Sequence, residues 1–553
     1  MTTFVSEPGG PSVVVRTAEG ALRGVRVRGT TVFRGVPYCR PPVGLLRFAS
    51  PRTLLPWPEV RDATRFGDPF VQAGPGGGSE DALTANVWTP DVDGSRPVLI
   101  YIHGGGWQVG AGSLPTYDGA LLAAEGGLVV VTFNYRLGPF GFGRHEELED
   151  PDTGLVANWG LQDQLALLWW VHRNAAAFGG DPGNITLAGT SAGGASAHQL
   201  AMLPQTGGIV RRIVAISAAH VRAPLLSMTP DDSRTAYDML AARLGTTVPG
   251  LHRVPAPTLL AVWGALFAGC PTRRPVRSGR AFRGPVLDAA TMPAYDHDLD
   301  PPDVPVMSVH TRTEGSFFTV PGLSVLEPPP APVDAAGLRR TIRSVLHTLA
   351  VDVPEDDVRD CLRIYGDAAV AGAFAPDPAT VWAEVLGDAL LRHRILQMAQ
   401  RHARTSPGPL HAMEFAHPAL LAGLGTPHEA TSKFLFGTHA APGNVRVFGD
   451  GPLERRVGAT FRRLVASFAR HGRPGGTAGL HWTPLRPDGS GLLVLGGLRV
   501  AAISRVETSE RLRFWDRPGL APWAAPTTPP LLPTTAEPEP VCVPSLLGDR
   551  RTG

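Results

Sequence analysis

"NITLAGTSAGGAS", residues 184–196, runs an apolar, β-branched stretch into a serine held between glycines and then into small residues suited to a helix. Small neighbours let the chain fold sharply at Ser191, so the hydroxyl stands clear of its own backbone just before a helix N-terminus. A Gly-x-Ser-x-Gly pattern is weak by itself in a chain of 553 residues with 65 glycines. The strand before it and the helix after it make it specific, with a merely helix-capping serine as the plainer alternative.

Working outward, short apolar runs at 97–102, 128–135, 184–189, 211–217 and 304–310 read as buried strands. Helical stretches at 160–179 and from Ala192 to about Met202 alternate with them. This alternation predicts an α/β fold with a mostly parallel central sheet flanked by helices on both faces. A Pro-rich stretch at 322–337 reads as a surface linker into a helical block that begins near Leu338. Residues 1–516 are expected to form one catalytic domain. Residues 517–553, dense in proline and poor in apolar side chains, are expected to be a disordered tail.

A serine nucleophile needs donors for the oxyanion it creates. In "YIHGGGW" (101–107), three glycines end a second apolar strand, and the backbone N–H groups of Gly105 and Gly106, joined by that of Ala192, can converge on one oxygen. A phosphate-cradling loop is the rival reading. No Lys-Ser or Lys-Thr follows the glycines, and no dinucleotide spacing with a downstream acid is present.

Composition narrows the function classes. A formal charge of +2, with 18% charged and 43% hydrophobic residues, describes a globular protein with no excess of charge to attract nucleic acid or an anionic membrane. Lys433 is the single lysine among 51 basic residues, and the arginines form no patch. The start shows no basic-then-apolar signal, and no uninterrupted apolar run reaches membrane-spanning length. Cys39, Cys270, Cys361 and Cys542 lie far apart without metal-ligand spacing. Buried free thiols and a cytoplasmic location are the expectation.

The resemblance to a family rests on a long ordered series: "FRGVPYCRPPVGLLRF" (33–48), "SEDALTANVWTP" (79–90), "IYIHGGGW", "NYRLGPFGF" (134–142), "NWGLQDQLALLWWVHRNAAAFGGDP" (158–182), the serine turn, "RTEGSFF" (312–318), "GTPHEATSKFLFG" (425–437) and "ERLRFWD" (510–516). The chain resembles the type B carboxylesterases, which include cholinesterases and bacterial para-nitrobenzyl esterases. The resemblance implies an α/β-hydrolase fold with helical insertions, Glu314 as the acid and His428 as the base of a triad with Ser191. The order serine, acid, histidine is the one expected on that fold. It further implies hydrolysis of carboxylic esters through an acyl-serine intermediate, with no cofactor and no metal. "RHEELED" and "HEATS" place no second histidine four residues on, so a zincin-like site has no support.

The chain departs from the family in several places. The cysteines that commonly close a flap in the family correspond to Phe70 and Ala82, and the short loop between them lacks a tryptophan on which a quaternary ammonium could sit. Thr190 stands before the nucleophile where many members carry glutamate, Thr431 replaces an acid three residues after the histidine, and Glu429 is acidic instead. Ser217 is expected near the acid. Trp107, Phe140, Phe142 and Thr190 are expected around the substrate pocket, which predicts a small, uncharged, partly apolar ester as substrate. Two rival functions follow from the same residues. One is a biosynthetic tailoring enzyme that transfers an acyl group, closes a ring or removes water, which a product assay with a nucleophile other than water separates. The other is a catalytically silent interaction module, disfavoured because all three triad positions are filled.

Overall fold

The computed structural model describes residues 10–74, 77–223, 225–267, 282–320, 331–349, 353–475, 480–517 and 520. Among them a 13-stranded sheet is formed by β1 (Ser12–Arg16), β2 (Ala21–Val27), β3 (Thr30–Pro37), β4 (Arg61–Asp62), β5 (Thr84–Thr89), β6 (Arg96–Ile102), β7 (Val129–Phe133), β8 (Gly180–Thr190), β9 (Val210–Ile216), β10 (Val306–Thr311), β11 (Leu410–Phe415), β12 (Ser490–Leu495) and β13 (Ala501–Arg505). The order across the sheet is β1-β2-β3-β5-β7-β6-β8-β9-β10-β11-β12-β13, with β4 beside β2. From β7 through β12 every neighbouring pair is parallel. Antiparallel pairs close both ends.

The parallel strands are mostly apolar in their central residues because both faces are covered, as crossover helices require. Along β6 the side chains of Val98, Ile100 and Ile102 join one core, while Leu99 and Tyr101 join the other. The helices Trp159–Asn174, Ala192–Met202 and His393–Thr405 cover the first face, and Ala120–Gly126, Ala430–Phe436 and Pro452–His471 cover the second. Helical insertions Pro230–Arg243 and Ala256–Phe267 separate β9 from β10. Ala335–Leu349, Glu355–Val370 and Pro378–Gly387 separate β10 from β11.

Several boundaries differ from the sequence reading. β8 starts at Gly180, ahead of the apolar run, and the helix expected at 160–179 ends at Asn174 in a 3-10 turn, Ala175–Phe178. Of the linker expected at 322–337, residues 322–330 lie outside the described residues and a helix already begins at Ala335. The packed body extends past residue 516. Arg517 donates to Asp357 and Asp360 at 2.6 Å each, and Leu520 is buried. Residues 518–519 and 521–553 of the expected tail lie outside the described residues.

The segment after β7 is tied down by a fully buried ion pair. Arg136 donates through Nε and Nη2 to Asp163 and through Nη1 to the Ala49 carbonyl. A buried charge without partners is costly, so this degree of satisfaction is what allows the guanidinium inside. No helix among the described residues is long and apolar enough to cross a membrane.

Candidate active site

The turn at 188–194 closes because its glycines touch. A Cβ on Gly189 would overlap the backbone of Gly193, and one on Gly193 would overlap the Ile102 carbonyl oxygen of β6. Ser191 itself adopts φ 58°, ψ −126°, a conformation an L-residue holds only when its surroundings enforce it. Its N–H donates to the Ile216 carbonyl at the end of β9, which fixes the turn to the neighbouring strand. The side chain thus stands at the carboxyl end of β8, directly before the helix Ala192–Met202.

Beside it, the chain leaves β6 through Gly104, Gly105 and Gly106. Gly105 and Gly106 hold φ of 113° and 62°, open to glycine and strained for other residues. The N–H groups of Gly105 and Gly106 donate to no acceptor among the described residues, and that of Ala192 opens its helix, where no intrahelical acceptor exists. His103 braces this turn. Its Nδ1 lies 2.8 Å from the Gly104 carbonyl oxygen, its ring stacks on Tyr135 at 4.3 Å, and burial pulls it down to about 4, so the ring is neutral at neutral pH.

Glu314 follows β10 and is buried. Its Oε1 accepts from the Thr311 N–H and the Ser217 hydroxyl, both at 2.7 Å, and its Oε2 lies 2.5 Å from His428 Nδ1. Burial pushes the carboxyl up, but His428 and these donors outweigh it and hold Glu314 below the ordinary glutamate value. The loops carrying the two residues are bonded to each other, since Thr313 N–H donates to the Thr426 carbonyl and Thr426 N–H to Thr313 Oγ1. With Nδ1 committed to Glu314, His428 Nε2 is left without a hydrogen-bond partner among the described residues. Ser217, placed near the acid by the sequence, donates to it directly and holds a strained φ of 48°.

The expected pocket residues are placed differently. Phe140 is fully buried between Phe48 and Phe70, with the Arg47 guanidinium 5.5 Å above its ring, and belongs to the core beneath the loop. Trp107 donates from Nε1 to Ser196 and lies against Phe142, itself fully buried. Thr190 is fully buried, its hydroxyl bonded to Tyr101 and Ser432. The reason is common to all three. Each had a polar or aromatic partner brought from a distant part of the chain, which local sequence does not reveal.

Other aromatic rings stand at the site instead. Phe317 and Phe318 face His428 at 5.7 and 5.1 Å, and Phe282 covers Gly106 and meets Phe318 edge-on at 6.3 Å. The first two lie within "RTEGSFF", so the motif contained them. Phe282 carries no local signal. Sequence reasoning also missed that Glu429 returns a carboxylate to this region. Its Oε1 and the Ser191 Cβ flank one point above Gly104, and its Oε2 lies 3.9 Å from Nζ of Lys433, the only lysine in the chain.

Of Phe70 and Ala82, the positions expected to replace the flap cysteines, Phe70 bridges to Ser79 and Ala82 is buried. Val71 N–H donates to the Ser79 carbonyl and Gln72 N–H to that of Gly77. Cys361 is a buried free thiol and Cys39 is buried, while Cys270 and Cys542 lie outside the described residues. One trio among the described residues, His145, Glu147 and Asp238, has the spacing of metal ligands. His145 Nδ1 accepts from the Glu147 N–H, so in the neutral ring Nε2 carries the proton and donates to Asp238 at 3.2 Å. That is an ordinary hydrogen-bonded pair.

A profile of the carboxylesterase family matches residues 11–515. The phenmedipham hydrolase of Pseudarthrobacter oxydans is 32% identical over 515 residues, 87% of this chain and 95% of its own. The para-nitrobenzyl esterase of Bacillus subtilis (strain 168) is 35% identical over 326 residues, 56% of this chain and 65% of its own. Among solved structures, a PNB esterase superposes with a TM-score of 0.74 at 27% identity, covering 91% of this chain and 99% of that one.

Proposed function

The chain belongs to the carboxylesterase family and is a carboxylic ester hydrolase, and on that premise we propose that it works through a Ser191-His428-Glu314 triad and an acyl-serine intermediate. Ser191 Oγ attacks the ester carbonyl while His428 Nε2 takes its proton. The N–H groups of Gly105, Gly106 and Ala192 receive the oxyanion. As the carbon–oxygen bond breaks, the histidine returns the proton to the leaving alcohol, and a water activated at the same nitrogen then frees the acid from Ser191. Glu314 fixes the Nδ1–H tautomer and stabilises the imidazolium.

The observation that supports this reading most is the bond of His428 Nδ1 to a buried, ionised Glu314, with Nε2 left open. The aromatic wall of Phe282, Phe317 and Phe318 favours an ester that is partly apolar. The pairing of Glu429 with Lys433 leaves no net charge to attract a cation, which favours an uncharged one. The near-balanced charge gives no reason to expect nucleic acid or membrane partners, and the buried thiol of Cys361 favours the cytoplasm.

The test is intact-protein mass spectrometry after a fluorophosphonate probe, run beside Ser191→Ala, with hydrolysis of para-nitrophenyl acetate and butyrate. One adduct and rapid turnover, both abolished in the variant, are expected. Turnover that survives Ser191→Ala removes the triad from the mechanism.

A further inference from the structure

Three buried hydroxyls form a closed ring. Tyr101 OH lies 2.6 Å from Thr190 Oγ1 and 3.0 Å from Ser432 Oγ, and the last two are 3.0 Å apart. All three side chains are fully buried. Each hydroxyl has one proton to give and lone pairs to accept, so a ring in which each donates once and accepts once satisfies all three. Such a ring also strengthens itself, because each bond polarises the next.

Its members come from three different parts of the proposed machinery. Tyr101 is on β6 and leads within three residues to Gly104 of the oxyanion turn. Thr190 ends β8 and directly precedes Ser191. Ser432 lies in the first turn of the helix Ala430–Phe436, four residues after His428. The Tyr101 ring is itself held between Tyr117 at 5.2 Å and Phe436 at 4.8 Å, so its hydroxyl has a fixed address. Glu314 anchors the far side of His428, and no hydrogen bond joins His428 Nε2 to Ser191. Besides the path through Glu314, Ser217 and the Ile216 carbonyl, the separation of base and nucleophile depends on what links the helix Ala430–Phe436 to the end of β8.

We propose that Tyr101, Thr190 and Ser432 are positioning residues, and that their hydroxyl ring sets the approach of His428 and of the oxyanion donors to Ser191. This rests on the triad reading above. A displacement of about 1 Å at a reacting group can cost on the order of a hundredfold in rate, so a ring that holds three elements in register affects turnover more than substrate binding.

The experiment measures kcat, KM and melting temperature with para-nitrophenyl butyrate for Tyr101→Phe, Ser432→Ala, their double variant, Thr190→Val and Thr190→Ser, beside wild type and Ser191→Ala. Expected are a fall in kcat of about tenfold or more for Tyr101→Phe, Ser432→Ala and Thr190→Val, with KM within about twofold. The double variant loses no more than the worse single one, and Thr190→Ser, which keeps a hydroxyl, retains most of kcat. Tyr101→Phe keeps the ring packing and Thr190→Ser is conservative, so these two report even where a harsher variant fails to fold. Wild-type kcat in Tyr101→Phe overturns the proposal, as do losses that add in the double variant. A wild-type protein without Ser191-dependent turnover is a different failure, since it removes the triad reading and the ring with it.

Discussion

Glu314 is a carboxylate that burial alone would neutralise, and three donors keep it charged. Its pKa in the folded chain is depressed, so its charge persists as the pH falls below the ordinary glutamate range. Glu314→Gln keeps the shape and leaves an oxygen for Thr311 and Ser217, but removes the charge opposite His428. We expect kcat to fall by about a hundred- to ten-thousandfold with little change in melting temperature. A kcat within about threefold of wild type would mean that Glu314 is not the acid. The sharp turns at Ser191, Gly105 and Gly106 were legible because their positive φ values depend on local backbone. The hydroxyl contacts of Thr190 were not legible, because its partners Tyr101 and Ser432 lie 89 and 242 positions away.

At the scale of elements, the glycines separate into those the fold requires and those it tolerates. A Cβ on Gly193 meets the backbone of Ile102 and His103, so Gly193→Ala must push the helix Ala192–Met202 away from β6. Loss of fluorophosphonate labelling and a lower yield of folded protein are expected. Gly366 sits inside the helix Glu355–Val370 with nothing within 4 Å of its Cβ position. Gly366→Ala is expected to raise stability by about 0.5–1 kcal/mol, read as a higher urea midpoint at unchanged slope. A lower midpoint would show that this position carries a constraint the helix does not reveal. The central strands could be read because burial on both faces makes them continuous apolar runs, whereas β1 and β13 have mixed, partly exposed side chains and gave no comparable signal. The antiparallel ends of the sheet emerged only from the structure for that reason.

The whole molecule buries histidines that the mechanism does not use. Burial drives His103 and His411 to about 4 and His198 to about 3, and lowers His220 and His297 as well. Between these folded values and the ordinary histidine value of about 6.5, the unfolded chain binds more protons, so stability rises with pH across that window and falls on acidification. Asp296, raised to about 7 chiefly by burial, takes up a proton in the folded state over the same range and offsets one histidine. The remainder predicts a melting temperature that drops steadily from pH 7 to pH 4.5, each uncompensated proton contributing about 1.4 kcal/mol per pH unit. Thermal melts at half-unit intervals check this, and a flat or rising curve toward acid would contradict it.

By itself the sequence determined the α/β alternation, the serine elbow, the glycine turn beside it and, through its ordered motifs, the family. Each of these depends on residues close in the chain, where glycine freedom, proline stops and hydrophobic period act directly. Only the tertiary structure decided that Thr190 and Phe140 belong to the interior, that Phe282 stands over the glycine turn after β6, that Glu429 meets the one lysine, and that Arg517 and Leu520 pack beyond the expected boundary. These outcomes depend on contacts between segments far apart in the chain, and the free energy of such contacts is fixed when the strands assemble, not by any neighbouring residue.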